Sequence, residues 1–364
     1  MRSGAEHARG EPVKRSGVVI TGFGSVNAAF TGGRSALMAW LEAPRTVAGR
    51  SLPPDALGRL VDETEARRFS RVCQLSVAAA RLAVADAGLD AGAEVGLVLG
   101  SEFGDLRSTA AFAEGYFESG PSGLSALLFP NTVMNTMASA TTIAVGARAL
   151  SLTLNARMVA GELAVARAAA AIAGGRAPAL LAGGVDEIEP RVARTLVDLG
   201  AIAEVHGEGA TFLILELREA ALARGARILG EIAGSASRAL RARPHGVGRS
   251  WASRAIGAAL TEARLEAGAI GWVYASRGGD PDRDAWQARV LEVAFGEGRP
   301  QQTSLRPLFG EHAGAGVLGV AAAACTARSG RLPGVDGSAG VARPGPGLVH
   351  GLARGGTEVA LVVR

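Results

Sequence analysis

Residues Gly161–Ala173, GELAVARAAAAIA, read as a helix made almost entirely of small and apolar side chains. A helix without a polar face has to be buried on all sides, so the chain must lay structure against both flanks of it. The residues before it tighten that requirement. Ser151–Asn155 alternates with the period of a strand, and a short turn centred on Met158 joins strand to helix. Such a turn holds one side chain at the mouth of a pocket and the start of a helix, where many acyl-transfer enzymes keep a nucleophile. Here that side chain is a thioether.

With 364 residues and 48% hydrophobic content, the chain can bury a large core, as one sizeable domain or two fused halves. Aromatics at 4% among abundant Gly and Ala suit helices packed closely on a sheet. Residues 1–16 are polar, lack the apolar core of a signal peptide, and read as a disordered tail. The most apolar run, Ala313–Thr326, is shorter than a bilayer span and broken by glycines, so it is expected as a buried helix in a soluble, cytoplasmic protein without membrane contact. Cys73 and Cys325 offer neither a disulfide framework nor metal spacing; no metal and no cofactor are expected. The net charge of +4 comes from scattered arginines, Lys14 being the sole lysine. Without a basic block or interleaved aromatics, nucleic acid is not an expected partner.

Val18–Val26 is a buried-strand run ending in a Gly turn. Gly22 and Gly24 give G-x-G, but the third glycine of a dinucleotide fingerprint would fall on Asn27. Helical periodicity runs over Arg67–Gly88, strand patterns over Val95–Gly100, Ala179–Gly183 and Gly209–Leu217, and Thr136–Ala149 reads as a further helix. Ser101–Asn131 is less regular, a helix plus a long excursion. The first half is thus expected as an α/β sandwich with mostly parallel strands. The second half repeats it loosely. Ala79–Ser101 is echoed by Ala255–Ser276, and Ser151–Leu181 by Thr303–Leu332, one supersecondary unit used twice. Chemistry in such a body belongs where corresponding loops of the two halves meet, at the strand ends.

Several landmarks point to a family. They are VVITGFGSV at Val18–Val26, AARLAVADAGL at Ala79–Leu89, PNTVMNTMA at Pro130–Ala138, ALLAGGVDE at Ala179–Glu187, and LVHGLARGGTEVALVV at Leu348–Val363. In this order and spacing the sequence resembles the ketosynthases, the thiolase-fold condensing enzymes of fatty acid and polyketide synthesis. The resemblance implies an α/β, thiolase-like five-layer αβαβα sandwich from two pseudo-repeated halves, 17–225 and 226–364.

An active ketosynthase needs a cysteine nucleophile for the acyl chain and two histidines to stabilise the enolate left when malonyl-carrier loses CO2. By the resemblance, Met158 stands at the cysteine position, followed by Val159, Ala160 and Gly161. A thioether has no acidic proton and forms no thioester. Ser276, in Val273–Pro281, stands at the first histidine. The second follows a Lys-Ser-x-x-Gly pattern, represented here by Arg306-Pro-Leu-Phe-Gly310. Without a gap Glu311 takes its place, and with a one-residue shift His312 does. The gap-free register is favoured because it also sets Gly314 and Ala315 on the family's glycine-alanine pair. The lysine position holds Arg306, and the gating loop is Leu352-Ala-Arg-Gly-Gly356, with Arg354 where a phenylalanine is usual. His7, His206, His245 and His350 match no motif and read as surface or loop residues.

No catalytic residue is therefore expected intact. The reading is a non-catalytic subunit resembling the chain length factors of type II polyketide synthases, which pairs with an active ketosynthase, shapes the acyl tunnel and meets an acyl carrier protein. Ser151–Asn155 would pair across the twofold, and Thr132, Val133, Met134 and Met137 would approach the partner's pocket. Those factors commonly carry glutamine at the cysteine position, from which Met158 departs. Two alternatives stand: a decarboxylase or acyltransferase working without the cysteine, and a homodimeric scaffold that binds acyl carrier protein without reaction.

Overall fold

The computed structural model describes residues 17–44, 50–89, 94–200, 206–334 and 339–364; the tail expected at 1–16 lies outside them. The first half starts with β1 (Val18–Asn27), β2 (Thr31–Gly32), α1 (Arg34–Glu42), α2 (Glu63–Arg68), α3 (Arg71–Ala87) and β3 (Val95–Ser101). It continues through α4 (Leu106–Ser119), α5 (Thr136–Val145), β4 (Ser151–Asn155), α6 (Ala160–Ala173), β5 (Ala179–Asp186), α7 (Pro190–Asp198), β6 (Gly209–Leu217) and α8 (Arg218–Ala223). The second half begins with β7 (Gly230–Ala239), α9 (Arg254–Ala263), β8 (Trp272–Ala275), α10 (Pro281–Phe295) and β9 (Gln301–Thr303). It ends with α11 (Arg306–Phe309), α12 (Ala313–Ser329), β10 (Arg331–Pro333), β11 (Ala339–Val341), β12 (Gly347–Leu352) and β13 (Thr357–Val363).

Local chemistry sets the helix ends. The periodicity over Arg67–Gly88 spans two helices, because Phe69 is extended and Ser70 stands at the N-cap of α3. The earlier helix, α2, has its own start, a capping box between Asp62 and Glu65. At the far end Gly88 takes φ +61°, the left-handed stop. The same device at Gly146, φ +69°, ends α5 at Val145, short of the expected Ala149.

The main sheet runs β4-β3-β5-β6-β1-β7-β13-β12-β8-β9. Read inward from its two edges, it is one motif twice: β4-β3-β5-β6-β1 and β9-β8-β12-β13-β7. The copies join where Val18–Ile20 of β1 pairs antiparallel with Gly230–Ile232 of β7. The expectation of mostly parallel strands needs correcting. Parallel pairing holds only for β3 with β4 and β5 in the first half, and for β8 with β12 and β9 in the second. β6 runs antiparallel to both β5 and β1, although α7 lies between β5 and β6 in the chain.

Helices α6 and α12 lie in the middle, their side chains sharing one core with strands of both halves, but α6 is not buried on all sides as expected: Arg167, Ala170 and Ala173 form an exposed stripe along it. α3 and α5 cover the outer face of the first half, and α9 and α10 that of the second, giving five layers. Every residue of α12 from Ala313 to Thr326 is buried, as expected of a central helix. Gly22 and Gly24 serve packing: a Cβ on Gly22 would stand 2.4 Å from the Ala83 carbonyl oxygen, and one on Gly24 2.2 Å from that of Ala79. The G-x-G of β1 thus lets α3 lie on the strand. Among the described residues no helix is long and apolar enough to cross a membrane.

Candidate functional site

The turn between β4 and α6 is sharp. Arg157 adopts φ +51°, in the left-handed region, which delivers Met158 into the interior, nearly fully buried. Its carbonyl oxygen accepts bonds from both terminal nitrogens of Arg306, each at 3.1 Å. Its Sδ is contacted by the Arg283 guanidinium, which reaches down from the first turn of α10.

The two arginines bring carboxylates with them. Arg306 bonds Glu162 Oε1 at 2.5 Å and is ion-paired with Glu311. Glu311 Oε2 lies 3.7 Å from Arg283 Nη1, and Arg283 Nη2 lies 3.0 Å from Asp284 Oδ1. Arg283, Arg306, Glu162 and Glu311 are all buried. Charges so deep are tolerated only when paired and hydrogen-bonded, so this chain of alternating sign fills the pocket as one unit. Behind it, a cavity of ≈ 10 Å³ bounded by Glu162, Tyr274, Ser276, Arg306, Gly316 and His350 has room for about one water. An acyl chain does not fit there.

The structure brings Met158, Arg306 and Glu311 together, and among the described residues no hydrogen bond joins the His312 ring to them. His312 stands at the N-cap of α12 with its ring toward Gly209 and Gly314, where Cβ atoms would meet its Cε1 at 3.0 Å and its Nδ1 at 2.9 Å. Both ring nitrogens are buried without a hydrogen bond among the described residues. Burial, with the nearby Arg306 charge, pushes this imidazole down to about 3, so it is neutral in the fold.

Ser276 lies just past β8, beside the pocket. Its Oγ accepts from the Leu352 N–H at 2.9 Å and from Gln287 Nε2 at 3.1 Å. Gln287 Nε2 also lies 3.0 Å from His350 Nδ1, and His350 Nε2 lies 2.9 Å from Glu358 Oε1. With Gln287 donating to Nδ1, the proton of His350 belongs on Nε2, facing Glu358. Ser276 therefore reaches the imidazole only through an amide, which takes up no proton, and is not an activated nucleophile. His350, read as a surface or loop residue, is fully buried in β12. The His206 ring lies 5.5 Å from that of Phe103, tilted by 55°, and His245 contacts Arg157; His7 lies outside the described residues.

Arg354 of the gating turn grips Asp280, Nη2 to Oδ1 at 2.6 Å. Burial raises the Asp280 carboxyl, but the hydrogen bonds and charge of Arg354 outweigh it and hold the group below its ordinary value. Asp280, Arg283, Asp284 and Gln287 recur at i, i+3, i+4 and i+7, one polar face of α10 turned inward. That stripe was the readable signal for residues the motif alignment passed over.

Of the residues expected at a partner interface, Val133 and Met134 are exposed and Thr132 half-buried. Met137 departs from the expectation: it is fully buried, because the inner face of α5 packs against α3. Around them a face opens on α4, α5, the excursion between them and β4, with Phe117, Leu127, Phe129, Ile143 and Leu152 exposed.

Two mirrored half-sheets enclosing a pair of buried helices, with a turn-borne side chain where their loops meet, define the thiolase-like ketosynthase fold. The beta-ketoacyl synthase N-terminal domain profile matches residues 18–220, and the chain belongs to the beta-ketoacyl synthase family. It is 28% identical to a 3-oxoacyl-[acyl-carrier-protein] synthase 2 of Synechocystis sp. over 65% of this chain and 64% of that protein. It is 36% identical to the tetracenomycin polyketide synthase ketoacyl synthase beta subunit of Streptomyces glaucescens over 44% of this chain and 39% of the relative. The chain thus covers less than two thirds of these curated relatives. Among solved structures, the ishigamide ketosynthase/chain length factor superposes with TM-score 0.85 at 24% identity, covering 96% of this chain and 99% of that one. A type II PKS acyl-carrier protein in complex with its ketosynthase gives 0.78 at 18% identity, over 96% of this chain and 100% of the other.

Proposed function

We propose that this chain is a non-catalytic ketosynthase-like subunit of the chain-length-factor type, which pairs with an active ketosynthase and shapes the tunnel for the growing chain. In this reading 17–225 and 226–364 are two halves of one body, and Met158, Ser276 and Glu311 stand where the cysteine and two histidines of an active member stand. The observation that carries it is the clamped elbow: Met158, held by Arg306 at its carbonyl and by Arg283 at its sulfur, beside a paired Glu311. No group there can form a thioester, and a carboxylate in a histidine's place would repel a malonyl carboxylate.

A partner fits the exposed edge of β4, whose residues are open or half-open along their length, and the apolar face around Val133 and Ile143. Unpaired backbone groups on such an edge are a template for another strand. The similarity to a ketoacyl synthase beta subunit and to a ketosynthase/chain length factor supports the same reading. An acyl carrier protein would then deliver to the partner's cysteine, in the cytoplasm.

Intact-mass spectrometry after incubation with acyl-carrier protein tests this. We expect no acyl adduct on this chain, alone or beside an active ketosynthase, and co-purification with that ketosynthase. A covalent adduct on any of its residues would sink the proposal, and a stable homodimer indifferent to the ketosynthase would replace the tunnel role with a scaffold.

A further inference from the structure

Between Glu231 and Glu262 the chain carries five arginines and no acidic residue. Ala242 and Gly248 pair across an antiparallel bridge, which makes a hairpin of the segment after β7. Its inner side is set by Gly248, where a Cβ would stand 2.6 Å from the Trp286 ring of α10, and by Ala242, packed on the core of the second half. Side chains alternate along such a hairpin, so Arg241 and Arg249 project to the other side, and Arg243 is exposed beside them. Arg241 and Arg249 stand opposite each other across the hairpin, and like charges so placed cost stability. Arg254 adds a positive charge in the first turn of α9, the end of a helix that favours anions. Among the described residues the side chains of Arg241, Arg243, Arg249 and Arg254 have no hydrogen bond or ion pair, unlike the matched arginines of the Met158 pocket.

Apolar groups lie beside this charge. Two residues past Arg249, Trp251 is 42% exposed, and Arg289 of α10 stands over its ring at 5.7 Å. Val293, one turn further along the same face of α10, is 52% exposed. Glu292 and Asp282, acidic side chains of that helix, are each within ion-pair reach of arginine: Arg289 and Arg299 for the first, Arg354 for the second. The face is therefore positive, with an indole and a valine open to its surroundings.

We propose that this face of the second half docks on an anionic bilayer, the arginines meeting lipid phosphates and Trp251 lying at the level of the headgroups. Planar guanidinium groups pair with phosphate oxygens by two bonds, and indole settles at the membrane–water interface. Charge combined with apolar burial is what a reversible surface anchor requires. The arginines are spread over an open face instead of converging on one point, which suits a sheet of phosphates better than a single small anion. The sequence expectation of no membrane contact rests on the lack of a span, and contact from the surface needs none. Because the hairpin belongs to the layer of α9 and α10, docking there leaves the β4 edge of the other half free, and the inference stands apart from the subunit role.

Flotation of the full chain with vesicles tests this. We expect binding to vesicles of phosphatidylglycerol and phosphatidylcholine in equal parts, none to phosphatidylcholine alone, and release when salt rises from about 0.05 to about 0.5 M. Arg241→Gln with Arg243→Gln and Arg249→Gln should weaken binding by roughly 10-fold or more. Arg59→Gln with Arg67→Gln and Arg68→Gln, an equal loss of charge on the first half, should not. Brominated phosphatidylcholine in the same vesicles should quench tryptophan emission in the wild type and not in Trp251→Phe, since Trp40, Trp272 and Trp286 are buried. Thermal melts identify a variant that has lost its fold; in that event Arg241→Gln alone must still bind more weakly than Arg59→Gln. No flotation with phosphatidylglycerol, or equal binding by the hairpin variant and its charge-matched control, would overturn the proposal. Binding of inorganic phosphate or of poly-glutamate without flotation would reassign the arginines to a soluble anion or to an acidic protein, and either result overturns docking on a bilayer.

Discussion

Arg306 is the side chain on which the buried charges of the pocket depend most, since it joins the Met158 carbonyl, Glu162 and Glu311. Replacing it by Met would leave two carboxylates in the interior short of a cation. Removing one partner of a buried ion pair costs about 3–5 kcal/mol, and we expect Arg306→Met to lower urea stability by that order. Arg306→Met with Glu311→Leu should recover only part of the loss, because an apolar pair fills the space and removes one of the two stranded carboxylates while Glu162 keeps its unpaired charge. Met158→Cys should form no condensation product with an active ketosynthase's substrates in a product assay, since in the proposed reading Ser276 and Glu311 stand in place of both histidines. Met158, Ser276 and Glu311 are proposed from the sequence because each breaks a motif whose neighbours survive. Arg283 is not, since it lies outside every motif and only the close approach of α10 to the elbow sets it on the sulfur.

Between elements, the contact that positions the site is that of α6 with α12. A Cβ on Gly161 would stand 2.0 Å from the Ala313 carbonyl oxygen and 2.8 Å from a Val317 methyl. Backbone has little room to yield, so Gly161→Ala should cost about 1–3 kcal/mol and be visible as a lowered melting temperature. The edge strand β4 supplies a second test. Leu152→Lys with Ile143→Lys puts charge on the exposed face while leaving the core untouched; sedimentation should show loss of the proposed ketosynthase complex with a monomer that still melts cooperatively. Unbroken apolar runs made β5 and β6 readable in sequence. The break at Phe69–Ser70 was hidden because helical periodicity continues across it, and the capping box at Asp62–Glu65 is the local signal for the separate helix.

The whole molecule carries opposing buried titrations. Burial pushes Glu187 up to about 8, with the Asp105 charge adding to the rise and the Arg107 N–H opposing it. Its unfolded counterpart ionises near 4.5, so this group favours the fold at low pH and loses that contribution as pH climbs toward 8. His312 acts the other way. Unfolded it takes a proton near 6.5 but folded only near 3, so stability falls as pH drops through that window. Each slope is about 1.4 kcal/mol per pH unit at most. Between 4.5 and 6.5 the two oppose each other, and urea titrations should find a plateau there. Glu187→Gln should flatten the alkaline fall, and His312→Gln the acid one.

Read without a structure, the chain already pointed to the buried helix at Ala313–Thr326, to a unit used twice and to a thioether at the elbow, because side-chain period and the valence of sulfur are properties of the residues themselves. The antiparallel placement of β6, the choice between Glu311 and His312 as the side chain facing Arg306, and the bridges from α10 to the elbow and the gating turn were decided only in three dimensions. They depend on which surfaces meet across more than a hundred residues of chain, and packing fixes that where local pattern does not.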